Sequence, residues 1–178
     1  MLEFQQFCFS SPPHTGEGLF LWAARNAGLT YHYSGTKYTA PPIDCDKFIL
    51  GIVRHPVSWL CEYFLERNDS TTDFSGYSEQ IDELLPQENT FDGFLQRCSQ
   101  IPNLMYDIFA KHRTSSVIKF EELPCSAAEF FESIGVQRDR IQFPKVTQGS
   151  KTILKPDPSV RLALMRSEYK FCEEFDYY

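Results

Sequence analysis

Phe48-Ile49-Leu50-Gly51-Ile52-Val53 runs directly into Arg54-His55-Pro56, and this stretch decides the fold. A short run with no polar side chain fits a strand covered on both faces, as in a parallel sheet. Pro56 then suits the first position of a helix, where a missing N–H costs nothing. Val57, Leu60, Cys61, Phe64 and Leu65 recur on one face of that helix. In sheets of this kind ligands bind beyond the carboxyl ends of the strands. Arg54 leaves a buried strand at that end and is placed to grip an anion.

Working outward, Phe4–Phe9 reads as a strand that stops at the turn cluster Ser10-Ser11-Pro12-Pro13. Leu19, Phe20, Ala23, Ala24 and Ala27 follow at helical spacing, and Gly28 supplies the stop. Tyr31–Tyr33 is a second short strand. Residues 68–90 are polar and acidic and read as a loop with a short helix near Glu79–Leu85. Phe91–Cys98 and Leu104–His112 are helices and Ser116–Phe120 a strand. Ser126–Ile134 is a helix stopped by Gly135, and Val160–Phe175 closes the chain as one long amphipathic helix. Strands alternating with helices predict an α/β protein, a three-layer parallel sheet flanked by helices. A length of 178 residues predicts one domain spanning 1–178.

Composition narrows the function. The chain is 42% hydrophobic and 15% aromatic, which demands a packed core. No apolar run reaches the roughly 18 residues of a membrane span, and the first residues lack the basic and apolar regions of a signal peptide. The expectation is a cytoplasmic protein with no membrane partner. A net charge of −7 excludes a general nucleic-acid binder. Charge is uneven, however: Glu62–Asp92 holds nine acidic residues and one basic, whereas Arg138–Arg166 holds seven basic and two acidic. The basic stretch is either solvated surface or part of a local anion site. None of the six cysteines forms a C-x-x-C pair, so neither a zinc knuckle nor a redox motif of that type is expected, and no metal-ligand spacing is visible.

The second strand end carrying unusual chemistry is Ser11-Pro12-Pro13-His14-Thr15-Gly16-Glu17-Gly18-Leu19. A loop between a strand and a helix start exposes backbone N–H groups that no helical carbonyl satisfies, and the helix dipole adds positive potential. Gly16 and Gly18 let a phosphate or sulfate approach the backbone. The Walker pattern G-x-x-x-x-G-K-[ST] is absent, which argues against a small kinase.

Taken together, the two strand ends resemble the sulfotransferase family, enzymes of P-loop-type fold that use 3′-phosphoadenosine 5′-phosphosulfate as sulfuryl donor. Pro13-His14-Thr15-Gly16-Glu17-Gly18 is similar to the family's P-[KR]-[ST]-G-[ST]-T loop, which cradles the 5′-phosphosulfate. Arg54-His55-Pro56-Val57-Ser58-Trp59 resembles the motif whose arginine binds the 3′-phosphate. Ile118-Lys119-Phe120-Glu121-Glu122-Leu123 resembles the family's R-Y-E-D-L element, and Glu168–Tyr177 its closing helix. The resemblance covers about two thirds of the chain. It implies that Pro13, His14, Thr15, Gly16, Glu17, Gly18 and Leu19 bind the donor with Arg54, Ser58, Glu62 and Lys151. In this reading His14 and Glu17 are catalytic, and the turn at Gly16 and the guanidinium of Arg54 share one cleft. Residues 66–112, the part least like the family, would bind the acceptor.

The chain departs from the family at three places. His14 replaces the lysine or arginine that bridges to the leaving phosphate, and a histidine is only partly protonated at neutral pH. Glu17 and Gly18 replace hydroxyl residues, so a carboxylate stands beside the expected anion. Glu62 replaces a serine that joins the arginine on the 3′-phosphate; Ser58, one turn earlier, could serve instead. Gln148-Gly149-Ser150-Lys151 is the nearest match to the family's later glycine-rich segment.

Sulfuryl transfer needs acceptor oxygen, sulfur and leaving oxygen in line, with fixed donors on the leaving phosphate. The expected donors are the N–H groups of Thr15–Leu19, the Thr15 hydroxyl and His14; the chemistry requires no metal. Glu17, His32 and His112 are the candidate bases. The acidic segment favours a small-molecule or neutral carbohydrate acceptor, or a cationic one, over a polyanion. Two functions therefore compete: a sulfotransferase acting on a hydroxyl or amine, and a catalytically degenerate relative that binds nucleotides or anions.

Overall fold

The computed structural model describes residues 1–34, 40–42, 44–69, 83–144 and 154–178. In chain order the elements are β1 (Leu2–Phe4), β2 (Cys8–Phe9), α1 (Glu17–Asn26), β3 (Tyr31–Tyr33), β4 (Ile49–Val53) and α2 (Pro56–Arg67). They are followed by α3 (Phe91–Cys98), α4 (Leu104–Ala110), β5 (Ser116–Lys119), α5 (Cys125–Ser133), α6 (Pro158–Ser167) and α7 (Tyr169–Phe175). The chain groups into two compact units: Met1–Val53 with His112–Ser150, and Arg54–Lys111 with Lys151–Tyr178. Among the described residues no helix is long and apolar enough to cross a membrane.

The first unit is built on a five-stranded sheet of order β3-β1-β2-β4-β5. It is α/β as expected, but the sheet is only partly parallel. β2 and β5 both run parallel to β4, while β1 pairs antiparallel with β2 and with β3. The mixed character comes from the first residues of the chain. Phe4–Phe9 is not one strand: Gln5 and Gln6 are exposed, and Phe4 N–H donates to the Phe7 carbonyl at 2.9 Å. Two adjacent polar residues cannot alternate across a half-buried sheet, so they turn the chain into a hairpin with register Leu2↔Phe9 and Glu3↔Cys8. The Phe4 and Phe7 rings stack at 4.4 Å across the base of that turn.

All five residues of β4 are buried. Leu50 and Ile52 point into the main core with Phe9, Ile118, Phe20 and Ala24 of α1, and Ala127 and Phe131 of α5. Ile49 points to the other face, where it meets Met1, Cys8 and Cys45. Phe20 is the hub of the main core, stacked on Phe9 at 4.6 Å and 4.9 Å from Phe131. Gly51 is required by a close approach, because a Cβ there would run into the Thr114 methyl and lie 3.1 Å from the Ser10 carbonyl oxygen.

The second unit is helical. Its aromatic core runs from Tyr63, stacked on Trp59 at 5.7 Å, through Phe109 to Phe171 at 5.1 Å. Pro56 opens α2 as expected. The expected single closing helix is two helices, because the chain leaves helical geometry at Glu168 (φ −97°, ψ 28°). The cause is tertiary. Glu168 is fully buried, and its carboxylate accepts the Met105 N–H at 3.0 Å in the first turn of α4. Within 66–112, residues 70–82 lie outside the described residues, and with them most of the expected Glu79–Leu85 helix; α3 and α4 form where expected.

Candidate functional site

The loop from Ser10 to Gly16 joins β2 to α1. β2 and β4 are neighbouring parallel strands, so this loop and Val53 lie at the same, carboxyl, end of the sheet, and Arg54 is the next residue in the chain. The loop is bound to β4 through Ser11. Its hydroxyl donates to the Ile52 carbonyl at 2.8 Å, accepts from the Ile52 N–H at 3.3 Å and lies 2.6 Å from the Thr15 hydroxyl. Thr15 in turn donates to the Pro12 carbonyl at 2.8 Å. Two hydroxyl protons thus serve three short contacts, and Ser11 and Thr15 are both buried. The Thr15 hydroxyl, expected as a side-chain donor to a ligand, is engaged within the loop and would have to leave the Pro12 carbonyl to serve one.

Two residues of the loop take left-handed backbone angles, His14 at φ 59° and Gly16 at φ 89°. His14 is half-buried. Gly16 is the N-cap of α1 and has no side chain with which to satisfy the first-turn N–H groups. The Leu19 and Phe20 N–H groups already bond the Gly16 carbonyl, at 3.0 and 3.1 Å. A Cβ on Gly16 would lie 2.7 Å from a Phe120 ring carbon and 2.9 Å from a Leu123 methyl, whereas one on Gly18 would meet nothing within 4 Å. The Phe120–Leu123 element therefore supports the underside of the turn, and the space on the side-chain side of Gly18 is open. Glu17 is buried at 7% exposure in the first turn, where the helix dipole favours a carboxylate. There it competes with an incoming anion for the same positive potential.

In the second unit, Arg54 lies 3.5 Å from the Glu62 carboxylate, with the two side chains 14% and 18% exposed. Glu62, expected beside the 3′-phosphate, thus occupies the guanidinium as its internal anion. Ser58, half-buried, lies between them in sequence on α2. His55 caps α2: its Nδ1 accepts the Val57 N–H at 3.2 Å, and its ring stands edge-on to Tyr177 at 5.6 Å. Lys151 and the rest of Gln148–Lys151 lie outside the described residues.

Two candidate bases stand outside the loop, on and ahead of strands as expected. His32 is on edge strand β3, separated from β2 by β1, and stands 3.6 Å from Glu3 with its side chain 72% exposed. His112 is buried, its Nδ1 2.8 Å from the Ser10 hydroxyl. That bond ties the end of β2 to the segment before β5 and was missed in the sequence, where Ser10 reads only as a turn residue. Of the three candidates, Glu17 alone adjoins the loop in sequence, as the first residue of α1. Among the described residues no group of three His, Cys, Asp or Glu could hold a metal ion.

Comparison of the chain with protein-family models, with curated proteins and with solved structures finds no match.

Proposed function

We propose that the chain binds 3′-phosphoadenosine 5′-phosphosulfate as a sulfotransferase-like protein and passes its sulfuryl group to a hydroxyl or amine. The observation that carries this reading is the strand-to-helix loop, with left-handed Gly16 at the N-cap and open space beside Gly18. Backbone N–H groups in such a turn suit a tetrahedral anion without a metal. In this reading the N–H groups of Glu17 and Gly18 hold the phosphosulfate, and His14 donates to the leaving phosphate when protonated. Arg54, taken within its own unit, would exchange Glu62 for a phosphate, as the resemblance implies, and a small-molecule or carbohydrate acceptor meets residues 66–112.

A second reading, a binding module without transfer, is favoured by the Arg54–Glu62 pair at 3.5 Å. A guanidinium already neutralised by a half-buried carboxylate gains less from a phosphate. Glu17 acts in the same direction at the loop.

Titration calorimetry with 3′-phosphoadenosine 5′-phosphate against ADP tests both. The proposal expects micromolar binding that prefers the bisphosphate, tightened in Glu62→Ser, and sulfate transfer from radiolabelled donor to a panel of alcohols and amines. Equal, weak binding of both nucleotides without transfer supports the module, and binding of neither overturns both.

A further inference from the structure

The sulfur atoms of Cys8 and Cys45 lie 3.9 Å apart, at van der Waals contact, although the residues are 37 apart in sequence. Both are free thiols. The surrounding backbone holds them there. Cys8 N–H donates to the Phe48 carbonyl at 2.8 Å, Cys45 N–H closes a turn on the Pro42 carbonyl at 3.2 Å, and Cys8 pairs in register with Ile49. The two side chains share a small apolar cluster with Met1 and Ile49. They differ in burial: Cys8 is 1% exposed, while Cys45 is only half-buried.

We propose that Cys8 and Cys45 form a dithiol modification site that a peroxide closes to a disulfide. The chemistry balances in two steps. The Cys45 sulfur attacks one peroxide oxygen, the O–O bond breaks, a sulfenic acid forms and water leaves. The Cys8 sulfur then attacks Cys45 Sγ, an S–S bond forms, the S–O bond breaks, and the hydroxyl leaves as water with the Cys8 proton. Two electrons pass from the sulfurs to the peroxide, giving one disulfide and two waters. Burial, with Cys45 as neighbour, pushes the Cys8 thiol up to about 11. This assigns first attack to Cys45 and resolution to Cys8. The bond would join β2, just ahead of Ser10 and Ser11, to the segment leading into β4. The proposal is independent of which ligand the loop takes.

The test is to treat the full chain, dilute and folded, with hydrogen peroxide, to block remaining thiols with N-ethylmaleimide, and to map peptides by mass spectrometry. The expected result is a Cys8–Cys45 peptide pair lighter by two hydrogen atoms than the separate thiols. It should revert with dithiothreitol, and be lost in Cys45→Ser with Cys8 still a thiol. Cys45 advancing to sulfinic acid while Cys8 stays reduced would overturn the proposal. So would linkage of Cys45 to Cys61 or Cys125 as often as to Cys8. Because the wild-type map decides the matter, the test survives if a substitution unfolds the chain.

Discussion

Gly16 and Gly18 stand two positions apart, at the N-cap and in the first turn of α1, yet answer to different constraints. Gly16 has φ 89° and no room for a Cβ beside Phe120 and Leu123, whereas Gly18 sits in the first turn of α1 with open space around it. Gly16→Ala should cost about 1–3 kcal/mol, from the left-handed penalty and the displaced ring. Gly18→Ala should stabilise by about 0.5–1 kcal/mol through lower chain entropy and better helix propensity. Urea unfolding of the two variants checks the opposite signs. Glu168 offers a second prediction at this scale. Burial pushes its carboxyl up from 4.5 to about 7, against the pull of backbone N–H groups at Leu104, Met105 and Tyr106. The native chain then holds a proton that the unfolded chain releases near pH 4.5. This contribution is full below about pH 4.5 and is lost as pH rises through 7, on the order of 3 kcal/mol. Urea midpoints at pH 5 and pH 7.5 should differ more in the wild type than in Glu168→Gln, which keeps an acceptor and has no proton to lose. Equal differences would refute the assignment.

At the scale of elements, the loop is held by strand ends as well as by its own residues. Ser11 bonds to Ile52 on β4, and Ser10 bonds to His112 ahead of β5 at 2.8 Å. Ser10→Ala leaves the His112 ring without this partner in a buried site and should cost about 1–3 kcal/mol. Amide exchange at Cys8, Ser10 and Ser115 should accelerate, because their N–H groups bond across the same strand ends. Unchanged exchange there would mean that the Ser10–His112 bond does not hold the strands. The hairpin at Gln5–Gln6 and the break at Glu168 are also features of this scale. The first had a signal in the sequence, the polar pair Gln5-Gln6 inside an aromatic run, although that run reads as one strand. The second had none: Met165-Arg166-Ser167-Glu168 contains no helix breaker, and the break follows from a partner in α4.

At the scale of the whole molecule, each unit has its own aromatic core, one around Phe20 and one around Phe171, and both residues are fully buried. Phe20 touches the rings of Phe9, Phe130 and Phe131, and Phe171 those of Phe109, Phe175 and Tyr177. Truncation of either to alanine should cost about 3–5 kcal/mol, read by urea unfolding, with near-UV circular dichroism reporting the loosened rings. A cost below about 1 kcal/mol would show that the core refills the space. Taken by itself, the sequence determined most helices and most strands, though not the break at Glu168, and it determined the helix start at Pro56, the glycine turn before α1 and the arginine after β4. These follow from local backbone preference and from the period of apolar residues, which act over a few positions. Only the tertiary structure decided that the sheet is mixed, that Thr15 and His112 spend their polar groups inside the fold, that Glu62 neutralises Arg54, and that Cys8 meets Cys45. Each of these depends on which buried polar or sulfur group finds which neighbour. Desolvation makes that choice costly to leave unmade, and chain distance carries no signal of it.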